Sequence, residues 1–456
     1  MLMLTTQCRK QQYTTDSSDT VSFSIDTLLF DTIFTTVGST TKRFKIYNPH
    51  KERIVISNIQ LEQGLQSQFR INVDGESGVS INDIEILPED SAFVFVEVTI
   101  DPVNANTPMV VEDRIHFETN GNMQTVVLNA FGQDAYFHVN EIIESDQVWP
   151  TDKPHVIYNF CALDSAHTLT LLPGTKVHGY NNAILYIYKS SLICNGSLGN
   201  EIEFKQARSE DYILSLADST AGQWRGIYFF APENSEISRT EISNATIGIQ
   251  IDTLQGTDSV KLENIRIDNS SFAGIVTQGA HVYAHSCLFG NAGNYSGYFS
   301  IGGSMILDHC TFGNRFSGQR NSGLFIFKNY YEASSNNIIY RPFSKAVLRN
   351  SIVYGPNDTE FVMDTLSRTS SPLVNAPNLY VDHSLLKTEE PIVNPQFFNS
   401  CWRNLSPEFV DAFNWDFHPT NSTVIQDKGT ATDPISDLDG NPRSITGNDL
   451  GCYNDL

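Results

Sequence analysis

Between Ser235 and Leu386 the apolar positions fall into one short phrase that returns six times. Its copies are Ile237-x-x-Thr240-x-Ile242, Leu262-x-x-Ile265-x-Ile267, Ala284-x-x-Cys287-x-Phe289, Leu307-x-x-Cys310-x-Phe312, Leu348-x-x-Ser351-x-Val353 and Val381-x-x-Ser384-x-Leu386. The middle position advances by 25 (240 to 265), 22 (265 to 287), 23 (287 to 310), 41 (310 to 351) and 33 (351 to 384) residues. A recurring period of this size marks a solenoid, and the last two steps read as one repeat plus an insertion. Pairs such as Val260-x-Leu262, Val282-x-Ala284 and Met305-x-Leu307 place apolar side chains on one side of a strand. A two-residue gap then interrupts the alternation, which resumes after a small residue: strand, tight corner, second strand. Helical 3.6 spacing is absent. Because connections between successive parallel strands turn right-handed, residues 136–456 are expected to form a right-handed parallel β-helix of about 10 to 12 coils.

The second corner residue is Asn264, His309, Asn350 and His383 in four copies, with Arg239 and Ser286 in the other two. Asn, Asp and His are the non-glycine residues most at home in left-handed backbone, so this row is read first as backbone geometry. Stacking aligns it beside a row of Glu263, His285, Asp308, Arg349 and Asp382. Asp308-His309 and Asp382-His383 then offer an acid/base or His/Asp metal arrangement. His285, Asp308, His309, Arg349, Asp382 and His383 are thus the catalytic candidates. Clustered Asp, Arg and Lys on one outward strand face cannot be aligned from the sequence. A phosphate loop, a nucleophile elbow and a His-Glu-x-x-His run are also absent.

Residues 20–135 carry a different pattern. Short alternating runs, such as Arg53 to Leu61, Phe69 to Val73, Ala92 to Ile100 and Gln124 to Ala130, are punctuated by Asn48-Pro49, Asp74-Gly75, Asp101-Pro102 and Asn120-Gly121. This spacing predicts an antiparallel β-sandwich. The junction "GQDAYFHVNEII" holds no Pro/Gly/Ser linker, so the sandwich is expected to abut the solenoid. The fold class expected is all-β: an N-terminal antiparallel β-sandwich, then a right-handed parallel β-helix with a C-terminal cap.

Composition narrows the partners. The formal net charge of the 456 residues is −23, which repels nucleic acid and anionic membranes. Ca²⁺, cationic partners and neutral glycans stay compatible. No apolar run is long enough to span a bilayer. The seven cysteines include no C-x-x-C pair, so a zinc knuckle is not indicated. Cys287 and Cys310 share an inward position on adjacent coils, about 4.8 Å apart, and are read as core thiols within disulfide reach. The insertion between the Cys310 and Ser351 coils brings Tyr330, Tyr331, Tyr340 and Arg341, groups that stack on sugars and bond their hydroxyls, unless they serve to cover one side of the coil.

Several stretches resemble known proteins. "FDTIFTTVGSTTKRFKIYNPH", "FRINVDG" and "DRIHFETNGNMQTVVLNAFGQDA" resemble the immunoglobulin-like domains that precede β-helices in surface lipoproteins of Bacteroidota. Pro173-Gly174, Leu192 to Gly196-Ser197 and Gly222 to Ile227 resemble the opening coils of extracellular pectin-lyase-like β-helix proteins, with Trp224 packed in or against the stack. "NWDFHPTNSTVIQDKG" and "DLDGNPRSITGNDLGCYN" resemble their closing segment through Asp437, Asp439, Gly440, Pro442, Arg443, Asp449 and Gly451, implying a final coil and cap; Asp437-x-Asp439-Gly440 is read as an Asp-Arg bonded turn rather than a Ca²⁺ loop, whose further ligands are absent. The opening "MLMLTTQCRKQQ" resembles the end of a bacterial lipoprotein signal. That likeness implies acylation of Cys8 and makes residues 1–19 a tether or residual signal. Recurrent Asp-Ser/Thr-apolar triplets, such as Asp19-Thr20-Val21 and Asp258-Ser259-Val260, look like an O-glycosylation signal of exported Bacteroidota proteins. The resemblance implies an outer-membrane or cell-surface protein that presents its β-helix face to an extended glycan or a protein partner. It implies no cofactor apart from possible Ca²⁺, no nucleic acid, and membrane contact only through the lipid. The alternatives are a polysaccharide lyase or glycoside hydrolase, and a structural subunit of an outer-membrane assembly.

Overall fold

The computed structural model describes residues 13–36, 38–39, 41–102, 109–207, 220–252, 257–315, 324–334, 337–365, 378–432, 436–444 and 447–454. Cys8 lies outside them. The chain is all-β with large parallel sheets, and it divides into two compact units, with the boundary between Ala135 and Tyr136.

The first unit holds two five-stranded sheets. One orders Ser22–Phe23, Lys42–Tyr47, Ser91–Val98, Phe69–Val73 and Glu76–Gly78, all antiparallel. The other orders Thr27–Phe34, Asn122–Gln133, Met109–Thr119, Ile54–Leu61 and Ser80–Ile86. Here the first pair runs parallel, a departure from the purely antiparallel expectation. A parallel pair needs a long crossover, and the strands between Phe34 and Asn122 supply it. Period-two burial in Met109–Thr119 and Asn122–Gln133 sends Ile115, Phe117, Val126 and Leu128 into a core shared with Phe30, Phe69, Val94 and Val96. From Tyr13 onward the stretch read as a tether is tied down: Thr14 N donates to Arg53 O at 2.9 Å, and Asn122 Nδ2 to Ser17 O at 2.6 Å.

In the second unit the chain visits three columns of parallel strands in turn. The first column is a ten-stranded sheet from Gln147–Trp149 to Phe398–Asn399. The second runs through Ile202–Gln206, Thr240–Ser243, Arg266–Asp268, Leu288–Gly290, Thr311–Gly313, Ile352–Tyr354, Leu385–Leu386 and Trp402–Arg403. The third runs through Gly226–Phe230, Ile247–Asp252, Ala273–Gln278, Tyr295–Ser300, Phe325–Lys328 and Phe361–Asp364. Ile265, Cys287 and Cys310 are fully buried in one core, and backbone bonds of 2.9 Å join each to the coil beyond it. The two cysteines are free thiols; Cys287 Sγ donates to His285 O at 3.1 Å.

The corner residues take the left-handed conformation. Arg239, Asn264, Ser286, His309, Asn350 and His383 have φ of 45°, 52°, 51°, 50°, 52° and 41°. A second corner, between the second and third columns, repeats the device at Asn244, Asn269 and Asn291 with φ of 58°, 54° and 51°. Asn269 Nδ2 donates to Asn244 Oδ1 at 2.6 Å, and Asn244 Nδ2 to Gln206 Oε1 at 2.8 Å, so the side chains link coil to coil.

Past Arg403 the chain does not simply close the last coil. It turns back along the stack. Phe417 packs with Leu288, Cys452 and Tyr453, while Val424, Ile425 and Leu450 pack with Ile352 and Leu385. Gly290 and Gly313 make this approach possible: a Cβ at Gly313 would lie 2.5 Å from Phe417 Cδ1. The segment expected to hold an Asp-Arg bonded turn has these contacts, with Arg443 Nη1 also donating to Asp449 O at 3.4 Å. Asp437 accepts from Asn441 N at 2.6 Å and Asn454 N at 2.9 Å, and Arg443 donates to Gly451 O at 2.8 Å. Each stabilises the segment through the backbone or an amide rather than through the other.

Candidate functional site

The two predicted corner rows form as a ladder. Glu263, His285, Asp308, Arg349 and Asp382 are register partners on successive strands. Asp308 is fully buried; its carboxylate accepts from Arg349 Nη2 at 2.5 Å and Asn350 Nδ2 at 3.1 Å, with His285 Nδ1 3.9 Å away. His309 is equally buried. Its Nδ1 donates to Asp449 O at 3.1 Å, and its Nε2 accepts from Asn350 Nδ2 at 3.1 Å. Burial, with the nearby Arg443 charge, holds its pKa well below the usual histidine value. One ring nitrogen is thus held by the folded-back segment and the other by the adjacent corner residue Asn350. Asp382 and His383 bond each other at 2.6 Å, and the Arg349–Asn350 coil separates them from Asp308 and His309.

That segment covers most of the row. Arg239 Nη1 donates to Leu438 O at 2.5 Å, Ser286 Oγ to Ser436 O at 3.0 Å and Asn350 Nδ2 to Thr430 O at 3.2 Å, while Asn264 Nδ2 donates to Asp437 O. Corner geometry and segment docking therefore account for these side chains.

The insertion aromatics do not share one face. Tyr330–Ser334 pairs antiparallel with Asn337–Tyr340, setting Tyr330 opposite Tyr340. Tyr330 is buried, and its hydroxyl donates to Asp364 Oδ1 at 2.8 Å, with Lys328 Nζ 4.3 Å from its ring centroid. Tyr331 and Arg341 are exposed and Tyr340 is half-buried. Trp224 is buried, stacked near Phe204 and bonded to Ser243 O at 2.8 Å, so it belongs to the core.

A charged cluster that the sequence does not line up lies on the outward face of the second column. Outward positions alternate along each short strand. Register sets Lys176, Glu203, Glu241 and Arg266 in one row, and His178, Lys205, Ser243 and Asp268 in the next. The face ends against Trp415. Of these, Glu203, Lys205, Glu241, Ser243, Arg266 and Asp268 line, with Asn244 and Trp415, a cleft of about 330 Å³. Arg266 is fixed between Asp268 Oδ2 at 2.5 Å and Trp415 O at 2.8 Å.

The carboxylates of the cleft differ. Burial raises Asp268 above its ordinary value, with Arg266 opposing. Partial desolvation also raises Glu241, although its side chain meets solvent; Arg266 opposes this, and the charges of Glu203 and Asp268 add to it. Burial acts in the same direction on Glu203, but Lys205 at 3.1 Å and Lys176 at 3.6 Å outweigh it and hold Glu203 low. On the third column, Tyr186, Tyr228 and Gln250 form one outward row, and Tyr188, Phe230 and Asp252 the next. Tyr228 donates to Asp252 Oδ2 at 2.9 Å. The alternation Tyr186-x-Tyr188 and Tyr228-x-Phe230 was the available signal for this surface.

By sequence, no protein family and no curated protein matches the chain. Among solved structures, it is similar to XylC in complex with xylose at 9% identity, over 93% of this chain and 87% of that one, with a TM-score of 0.28. It is similar to a family 123 glycoside hydrolase from Clostridium perfringens at 10% identity, over 25% of this chain and 26% of that one, with a TM-score of 0.18. It is similar to the E. coli chaperone DraB at 6% identity, over 25% of this chain and 55% of that one, with a TM-score of 0.18. The chain thus spans about a quarter of that hydrolase and just over half of the chaperone. Likenesses this remote bear on neither fold nor function.

Proposed function

We propose that this protein is an exported, surface-held binder of extended neutral glycans, built as an immunoglobulin-like sandwich followed by a right-handed parallel β-helix. The observation that carries the reading is the cleft beside Trp415. Trp415 beside Arg266, Lys205, Glu241 and Asn244 would combine an aromatic side chain with donors and acceptors for hydroxyl groups. Among its charged groups, Lys205 and Arg266 stand against Glu203, Glu241 and Asp268. With the chain at −23 overall, a neutral chain suits this cleft better than an acidic one. Stacked coils repeat the surface at about 4.8 Å per strand, and the tyrosine rows of the third column extend the area that a polymer can follow. Export and anchoring through Cys8 rest on the lipoprotein likeness. Labelled-lipid incorporation that survives Cys8→Ala would remove the anchor.

Retention on an array of neutral polysaccharides tests binding. Trp415→Ala is expected to abolish retention, and unchanged retention rules the cleft out. A second reading, hydrolysis or elimination on a glycan, is favoured by one feature: Glu203 and Glu241 are register partners with pKa values pushed in opposite directions, the arrangement that separates a base from an acid. Product release that Glu241→Gln stops would establish turnover; retention without products leaves binding alone.

A further inference from the structure

The start of the second unit holds an unassigned cluster. His138 and Glu141 flank the left-handed residue Asn140, φ 50°, which brings them to one side of the strand Tyr136–Ile143. Cys161, the register partner of Glu141, stands beside them and is fully buried. A ligand atom from each of the three lies within 4.8 Å of the others.

The contacts form a line. Glu141 Oε2 is 2.5 Å from His138 Nδ1, His138 Nε2 is 2.9 Å from His155 Nδ1, and His155 Nε2 is 3.0 Å from Pro150 O. A carboxylate and a carbonyl oxygen close the two ends, and both only accept. Two neutral imidazoles bring two protons to three gaps. Whatever the tautomers, one gap holds two facing lone pairs unless a further cation fills it. The gap between Glu141 and His138 is the one with a third ligand, Cys161, at its side.

We propose that the Glu141–His138 gap, with Cys161, binds a Zn²⁺-like divalent metal ion. Imidazole, thiolate and carboxylate are the ligands of such ions, at about 2.0–2.3 Å from the metal. Water supplies the fourth position. Glu141 has room to swing outward, since its side chain is partly exposed. Placing the ion in this gap directs the His138 Nε2 proton toward His155 and the His155 Nε2 proton toward Pro150 O. That chain fixes the His138 tautomer and ring angle, as supporting groups do at metal sites. Trp149 stacks on both rings, at 4.4 Å from His138 and 4.3 Å from His155, and walls the site.

The test uses the full chain, stripped with a chelator and titrated with Co²⁺ and then Zn²⁺. Co²⁺ is expected to give a near-ultraviolet thiolate charge-transfer band that Zn²⁺ removes and Cys161→Ser abolishes. His155→Gln is expected to weaken Zn²⁺ binding roughly 10- to 100-fold, with Asp416→Asn, in the half-buried His418 pair, as the unaffected control. Cys161→Ser is a near-isosteric change, so its thermal melt reports whether the fold is intact. A band that persists in Cys161→Ser overturns the proposal. So does a His138 imidazolium nitrogen signal that stoichiometric Zn²⁺ leaves unchanged, because the missing cation is then a proton.

Discussion

The outward face of the second column has two halves, and they are built from opposite materials. Toward the end of the stack its positions are Leu288, Gly290, Thr311, Gly313, Ile352 and Leu385, all buried under the returning carboxyl segment. Toward the start they are Glu203, Lys205, Glu241, Ser243 and Arg266, which border the cleft, with Lys176 beside Glu203. The backbone is the same parallel ladder in both. The face of one parallel ladder is therefore closed or left open by its side chains alone. The boundary falls where Trp415 and Tyr453 end the cover.

The largest way to break this contrast is to damage the cover. Phe417→Ala removes a fully buried ring packed on two glycines and should cost about 3–5 kcal/mol in chemical denaturation. The region 409–453 should become sensitive to protease. If stability is unchanged, the segment does not cover the face in solution. Gly313→Val attacks the same contact from the ladder side, forcing Phe417 away. It should cost about 1–3 kcal/mol, read as a lower midpoint in urea. Trp415→Ala sharpens the comparison from the open half: glycan retention should vanish while the urea midpoint barely moves, within about 0.5–1 kcal/mol.

The smallest effect is a pH slope. The Glu241 carboxyl titrates above its unfolded value of 4.5, so the folded chain holds that proton more tightly. Its contribution to stability is present below 4.5 and is lost as pH rises through the folded value. Glu241→Gln should erase this slope, a change of about 0.5 kcal/mol or less at a solvated position, measured by unfolding in acid and neutral buffers. A slope unaltered by the substitution would assign it to another group.

Much of the stacking was legible in the sequence. Ile265, Cys287 and Cys310 share one buried column because each coil repeats its own local pattern, and Asn264, His309, Asn350 and His383 could be read as corners from the preferences of those residue types. What the pattern could not reveal was long-range. Asn264 meets Asp437 across 173 residues and Arg239 meets Leu438 across 199, and no period records such contacts. So His309, read as possible chemistry, bonds a segment whose path was hidden, while Asp308 bonds Arg349 and Asn350 on the next coil. The cleft was missed for the same reason: Trp415 reaches it from the returning segment, while Glu203, Glu241 and Arg266 lie on three separate coils. The switch from charged to glycine and aliphatic residues at Leu288 was the one local hint. The second corner at Asn244, Asn269 and Asn291 was also readable from its spacing of 25 and 22.

The returning segment changes how such a stack comes apart. In an array held only by adjacent repeats, loss can begin at the free end and progress rung by rung. Here one continuous strap touches rungs from Arg239 to Asn350, so fraying at the far end must first strip a tie that also binds the middle. Melting should accordingly be sharper than a sum over neighbours. The strap, which follows those rungs in chain order, would then act as the latch that locks rungs already formed.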